Sequence, residues 1–145
     1  MTEVKIRKMQ LGFVAVLLFL YVFFGRTDRF DAASRYYSKE QMQKKYGTYY
    51  MISSISKIKV SGGKVSITGT LQNKNYKLLK HKKRTYKLAK NMKKFYIEGD
   101  WPWEYEGKHP RSEFIKYLKW YKKSHFPGIH FWVKNGKITA YGLSA

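Results

Sequence analysis

The closing stretch of this chain has almost one way to fold. Ile129, Phe131 and Val133 alternate with His130 and Trp132, Asn135-Gly136 follows, and Ile138 and Ala140 resume the alternation. Period-two alternation sends successive side chains to opposite faces of a strand. Asn-Gly supplies the two positive φ angles that a tight hairpin turn requires. A second stretch repeats the logic. Ile58 and Val60 alternate with Lys57 and Lys59, Ser61-Gly62-Gly63-Lys64 turns, and Val65, Ile67, Gly69 and Leu71 alternate with Ser66, Thr68 and Thr70. Two hairpins of this kind commit the domain to a mostly β architecture, because a period-two pattern cannot bury one face as a helix.

Between the hairpins, the segment from Thr85 to Leu88 and that from Phe95 to Ile97 read as one interrupted strand or two short ones, with Asn91 at the break. Ser112 is a predicted cap for a helix that gathers Phe114, Ile115, Tyr117, Leu118 and Tyr121 on one side, and Phe126-Pro127-Gly128 stops it. The order strand, strand, strand, helix, strand, strand resembles the connectivity of the OB-fold. That likeness is one of topology and rests on no residue motif. The expected fold class is α+β, mostly β: a small five-strand OB-like barrel or curled sheet with one helix, preceded by a single transmembrane helix.

The transmembrane expectation comes from the N-terminus. Lys5, Arg7 and Lys8 precede an uncharged run, residues 9–25, dominated by Leu, Val and Phe, and Arg26 follows it. A run of about 17 residues lies at the lower edge of what spans a bilayer, and basic residues at both ends can snorkel to the headgroups. No small-residue cleavage site follows closely, which favours an uncleaved anchor over a signal peptide. Both flanks are basic, and read literally the charge rule slightly favours a cytoplasmic C-terminal domain, against which the shape of the N-terminus weighs. A short basic tail before a first helix acts as an export signal, and this predicts an extracytoplasmic C-terminal domain at the cell membrane. Residues 1–25 are thus an expected anchor, 26–50 a polar basic stalk and 51–145 a basic β-rich domain. Within the stalk, Ser38 caps a short helix that Gly47 ends. It is either an exposed spacer or a helix packed through Met42 and Tyr46.

Thirty Lys and Arg against nine Asp and Glu give a formal charge of +21, which points to a polyanionic partner. The charge is densest over residues 74–94, with Lys74, Lys77, Lys80, Lys82, Lys83, Arg84, Lys87, Lys90, Lys93 and Lys94 and no acid. Lysine clusters bind phosphate polymers by counterion release, independently of sequence. Tyr76, Tyr86 and Trp132 would add stacking if the ligand were single-stranded nucleic acid. The candidate partners are therefore an anionic envelope polymer, lipid headgroups or nucleic acid.

Glu98, Asp100, Glu104 and Glu106 gather around Trp101, Trp103 and Tyr105, and are expected to form a loop that pairs with lysines while its rings cover one end of the barrel. His81, His109, His125 and His130 lack metal-ligand spacing and read as surface residues. The chain has no cysteine, and no serine-hydrolase, Walker or dinucleotide pattern occurs. No catalytic residue, metal or cofactor is predicted. In layout, the basic start, apolar anchor, lysine-rich stalk and small β-rich domain resemble the small exported or membrane-anchored proteins of low-GC Gram-positive bacteria. The sequence reading is thus a non-enzymatic, membrane-anchored extracytoplasmic domain that associates with an anionic envelope polymer. A membrane-tethered OB-like domain binding single-stranded nucleic acid is the alternative.

Overall fold

A computed structural model describes residues 36–145. The anchor expected at residues 9–25 lies outside the described residues. Among those described, no helix is long and apolar enough to cross a membrane. Residues 37–145 form one compact unit, built from α1 (Lys39–Tyr46), β1 (Thr48–Ser61), β2 (Lys64–Gln72), β3 (Lys82–Glu98), β4 (Trp101–Glu104), β5 (His109–Pro110), α2 (Arg111–Ser124), β6 (Gly128–Lys134) and β7 (Lys137–Ser144).

Five strands close into a barrel. β1 pairs with β2, β2 with β3, β3 in parallel with β7, β7 with β6, and β6 returns to β1. This strand order is compatible with the OB-like arrangement. Closure depends on β1 serving two partners: Thr48 to Met51 pair with β6, and Met51 to Ser61 with β2. Register shifts between Ile52 and Ser54, and between Ile55 and Lys57, mark the bend in the strand. Gly69 sits at that bend because a Cβ there would strike the Ser54 carbonyl. The Tyr121 hydroxyl donates to the Ile52 and Ser53 carbonyls, so the bend also satisfies backbone acceptors from the helix side.

The interrupted strand of the sequence is a single strand, β3. Its pairing with β7 is irregular between Leu88 and Lys93, where Asn91 and Met92 pair with β5. Inside the barrel, Ile52, Val65, Ile67, Leu71, Ile129, Phe131, Ile138 and Tyr141 are buried together with Phe114, Leu118 and Tyr121 of α2. Each such helical side chain contributes about 1.5–3 kcal/mol by leaving water, which pins α2 to the barrel. The helix starts one residue before the predicted cap. Pro110 is the N-cap without a side-chain bond, because its pairing with Asn91 fixes where the chain leaves the sheet.

Of the two readings of the segment after Ser38, the packed one holds. Ser38 and Gln41 form a capping box, Met42 and Tyr46 are buried, and Gly47 takes a φ of 103° against the Val133 carbonyl. α1 therefore roofs the outer surface of the barrel, and the folded unit starts at Tyr37, N-terminal of the expected boundary at residue 51.

Candidate functional site

The barrel has two unlike outer surfaces. The first lies on β1, β2 and β3, where the register aligns Lys59 with Ser66 and Ser66 with Thr85, Lys57 with Thr68 and Thr68 with Lys83, and Lys64 with Lys87. Directly opposed residues share a face, so Lys57, Lys59, Lys64, Lys83 and Lys87 surround Ser66, Thr68, Thr70 and Thr85. Ser66 and Thr85 hydroxyls meet at 2.7 Å, and His81 Nδ1 lies 3.2 Å from the Thr70 hydroxyl. No acid occurs between Gln41 and Ile97, a span that carries fifteen Lys or Arg.

The predicted lysine cluster does not lie on one face. Lys83 and Lys87 belong to this face, while Lys82, aligned with Gly69, has the opposite parity. Lys74, Lys77 and Lys80 occupy the connection between β2 and β3, and Lys90 is exposed at the irregular stretch of β3. The Arg84 guanidinium donates to the Gly69 and Lys80 carbonyls, so it braces its own loop. Lys93 pairs with Glu104 at 3.0 Å and Lys94 with Glu113 at 2.8 Å. The Lys94 side chain is only 11% exposed and lies over the Tyr105 and Tyr117 rings. Burial raises the Glu113 pKa, but the bonds from Lys94 and His109 outweigh it and hold the carboxyl below its usual range. That site is structural. Lys57, Lys59 and Lys64 take the vacated places, and their signal was the charged half of the first hairpin's alternation.

The stacking set also divides. Tyr86 turns inward, edge-on to Phe131, and Trp132 is 3% exposed between Tyr49 and Phe95. Only Tyr76 is exposed, at 62%, and it belongs to the other surface. The segment around Trp101 is strand β4 rather than a loop. Glu104 does pair with a lysine, but Trp101 stays 57% exposed instead of covering the barrel end.

The second surface is the roofed one. Here Tyr49 and Met51 of β1, His130 and Trp132 of β6, and Ser144 of β7 face outward beneath α1, and a cavity of about 410 Å³ opens among them. His130 was expected on the surface. It is 5% exposed, and burial holds its imidazole down at about 4, so the ring is neutral near pH 7. Its Nδ1 lies 2.6 Å from the Tyr49 hydroxyl and its Nε2 2.9 Å from Ser144 Oγ.

Across the mouth, the Tyr76 hydroxyl donates to Asp100 at 2.9 Å, and Lys39 reaches both Asp100 and the Tyr76 oxygen at 3.4 Å. Asp100 is held below its usual pKa by the Tyr76 bond first and by Lys39 second. Tyr76 has a φ of 62°, a left-handed backbone that a turn on Asn73 enforces: the Asn73 amide oxygen accepts from the Asn75 and Lys77 N–H groups. Among the described residues no cluster of His, Asp or Glu is arranged to hold a metal ion. No family model, curated protein or solved structure matches the chain.

Proposed function

We propose that this chain is a membrane-anchored, non-enzymatic domain of OB-like fold, set outside the cell membrane, that holds an anionic phosphate polymer of the envelope on the outer face of β1, β2 and β3. The observation that carries the reading is the pairing of Lys64 directly opposite Lys87 on a face that has no acid. Like charges placed directly opposite one another destabilise a strand pair. A bound polyanion offsets that cost, while the interleaved Ser and Thr hydroxyls donate to phosphate oxygens. Among the described residues no aromatic ring is exposed on this face, which favours a charge-driven ligand without bases over a stacked single strand.

The test is a salt titration of the full chain in zwitterionic nanodiscs with a poly(glycerol phosphate) chain, beside oligo-dT of equal charge. Binding is expected to weaken steeply between 50 and 200 mM salt. The triple variant Lys64→Gln, Lys83→Gln, Lys87→Gln is expected to flatten the slope of log K against log salt by about two. An unchanged slope sinks the proposed face, and tighter binding to oligo-dT than to the base-free polymer makes nucleic acid the ligand. Protease digestion of a C-terminal tag on wall-stripped intact cells tests the compartment, and protection until lysis overturns it.

A further inference from the structure

The roofed cavity carries an independent inference, which follows from counting protons. With His130 neutral, Tyr49, His130 and Ser144 bring one N–H or O–H hydrogen each, yet they make only two hydrogen bonds among themselves. If Nδ1 bears the proton, it donates to the Tyr49 oxygen and Ser144 donates to Nε2, so the Tyr49 hydroxyl hydrogen is left over. If Nε2 bears it, Nε2 donates to Ser144 Oγ, Tyr49 donates to Nδ1, and the Ser144 hydrogen is left over. In both tautomers one hydroxyl donor finds no protein acceptor among the described residues. Both ends of the relay line the cavity. The site therefore offers one donor to whatever enters.

The rest of the lining sets the kind of molecule. Met42, Met51, Ile97 and Pro102 present aliphatic and thioether surface, which moulds around a flexible chain. Burial keeps the His130 imidazole in the relay neutral, so a full charge beside it would be poorly solvated. The lysines that line the cavity, Lys39 and Lys74, come from α1 and from the connection after β2. A volume of about 410 Å³ falls within the range of roughly 300–1,000 Å³ usual for small-molecule sites.

We propose that the cavity binds an uncharged acyl amide or ester, its chain against Met42, Met51, Ile97 and Trp132, its carbonyl oxygen accepting the spare hydroxyl hydrogen of the Tyr49–His130–Ser144 relay. The Tyr76–Asp100–Lys39 contacts close over it, so that the connection between β2 and β3 acts as a latch. This site is separate from the lysine face, and neither proposal depends on the other.

The test uses the full chain in nanodiscs, with hexanamide as the probe and hexanoate as its charged counterpart, read by the four indole N–H resonances and by the probe's carbonyl stretch. Empty discs subtract partitioning into lipid. The expected result is saturable binding of hexanamide that shifts the Trp132 resonance, with hexanoate at least tenfold weaker. The double variant Tyr49→Phe, Ser144→Ala is expected to lose at least tenfold in affinity while keeping its remaining amide spectrum. Asp100→Asn, which leaves the floor intact, is expected to speed release several-fold. Absence of saturable binding overturns the site, hexanoate binding as tightly as hexanamide overturns the ligand class, and an unchanged affinity in the double variant overturns the role of the relay. An unchanged release rate for Asp100→Asn removes the latch.

Discussion

One strand, β3, belongs to both outer surfaces, and its two halves differ. From Lys83 to Leu88 it alternates between solvent-facing and more buried positions, and its outward side chains are lysine and threonine. From Phe95 to Ile97 the outward positions are buried as well, because α1 lies over them with Tyr46 edge-on to Phe95. The same sheet is thus amphipathic at one end and buried on its outer face at the other. What separates them is a single short helix, whose two buried residues, Met42 and Tyr46, convert an outer surface into a second core. The bare end is the surface proposed to meet a polymer, and the roofed end the one proposed to enclose a small molecule.

That contrast is easiest to break with Trp132→Ala. If the roofed surface is a true core, losing this ring costs about 3–5 kcal/mol, read as a lowered urea midpoint. A loss under about 1 kcal/mol would show that α1 merely rests on the barrel.

Acid gives the next largest effect. The unfolded imidazole titrates near 6.5 and the folded one near 4. Between those values the unfolded chain binds more protons, so stability falls as pH drops through that window and levels off below about 4. The His130 contribution is about 3 kcal/mol across the window. The denaturant midpoint should fall from pH 7 to pH 4, and the pH dependence should flatten in His130→Gln.

The smallest effect belongs to the bare end. Each of Lys64→Gln, Lys83→Gln and Lys87→Gln should alter stability by less than about 0.5 kcal/mol, and the first and last should raise it by relieving the charge pair. Thermal melts of the single variants decide this, and a clear loss would mean that these lysines hold the fold together.

The sequence was legible where local rules and tertiary packing agree. The hairpins, the β3 interruption at Asn91, the Ser38 cap and the apolar stripe of α2 all followed from periodicity or cap chemistry, and all are present. The lysine cluster was legible as charge but not as surface. Which lysine faces which way depends on the register with β2, and which is neutralised depends on Glu104 and Glu113, distant in sequence. The cavity was the hardest to foresee. Tyr49, His130 and Ser144 are scattered along the chain and meet only because β1, β6 and β7 are neighbours in the sheet. His130 itself alternated as a polar residue should, and only the packing of α1 over the sheet turned its outward face into an interior.

The parallel seam between β3 and β7 also shapes how the molecule is made. Lys137–Ser144 is the strand that joins β3 to β6 and completes the ring. Until it has been synthesised, both neighbours carry unpaired edges able to recruit strands from other chains. Contacts this far apart in sequence form slowly. Truncations that remove this strand should therefore aggregate rather than yield a smaller folded unit, and a tag placed after Ala145 senses whether the ring has closed.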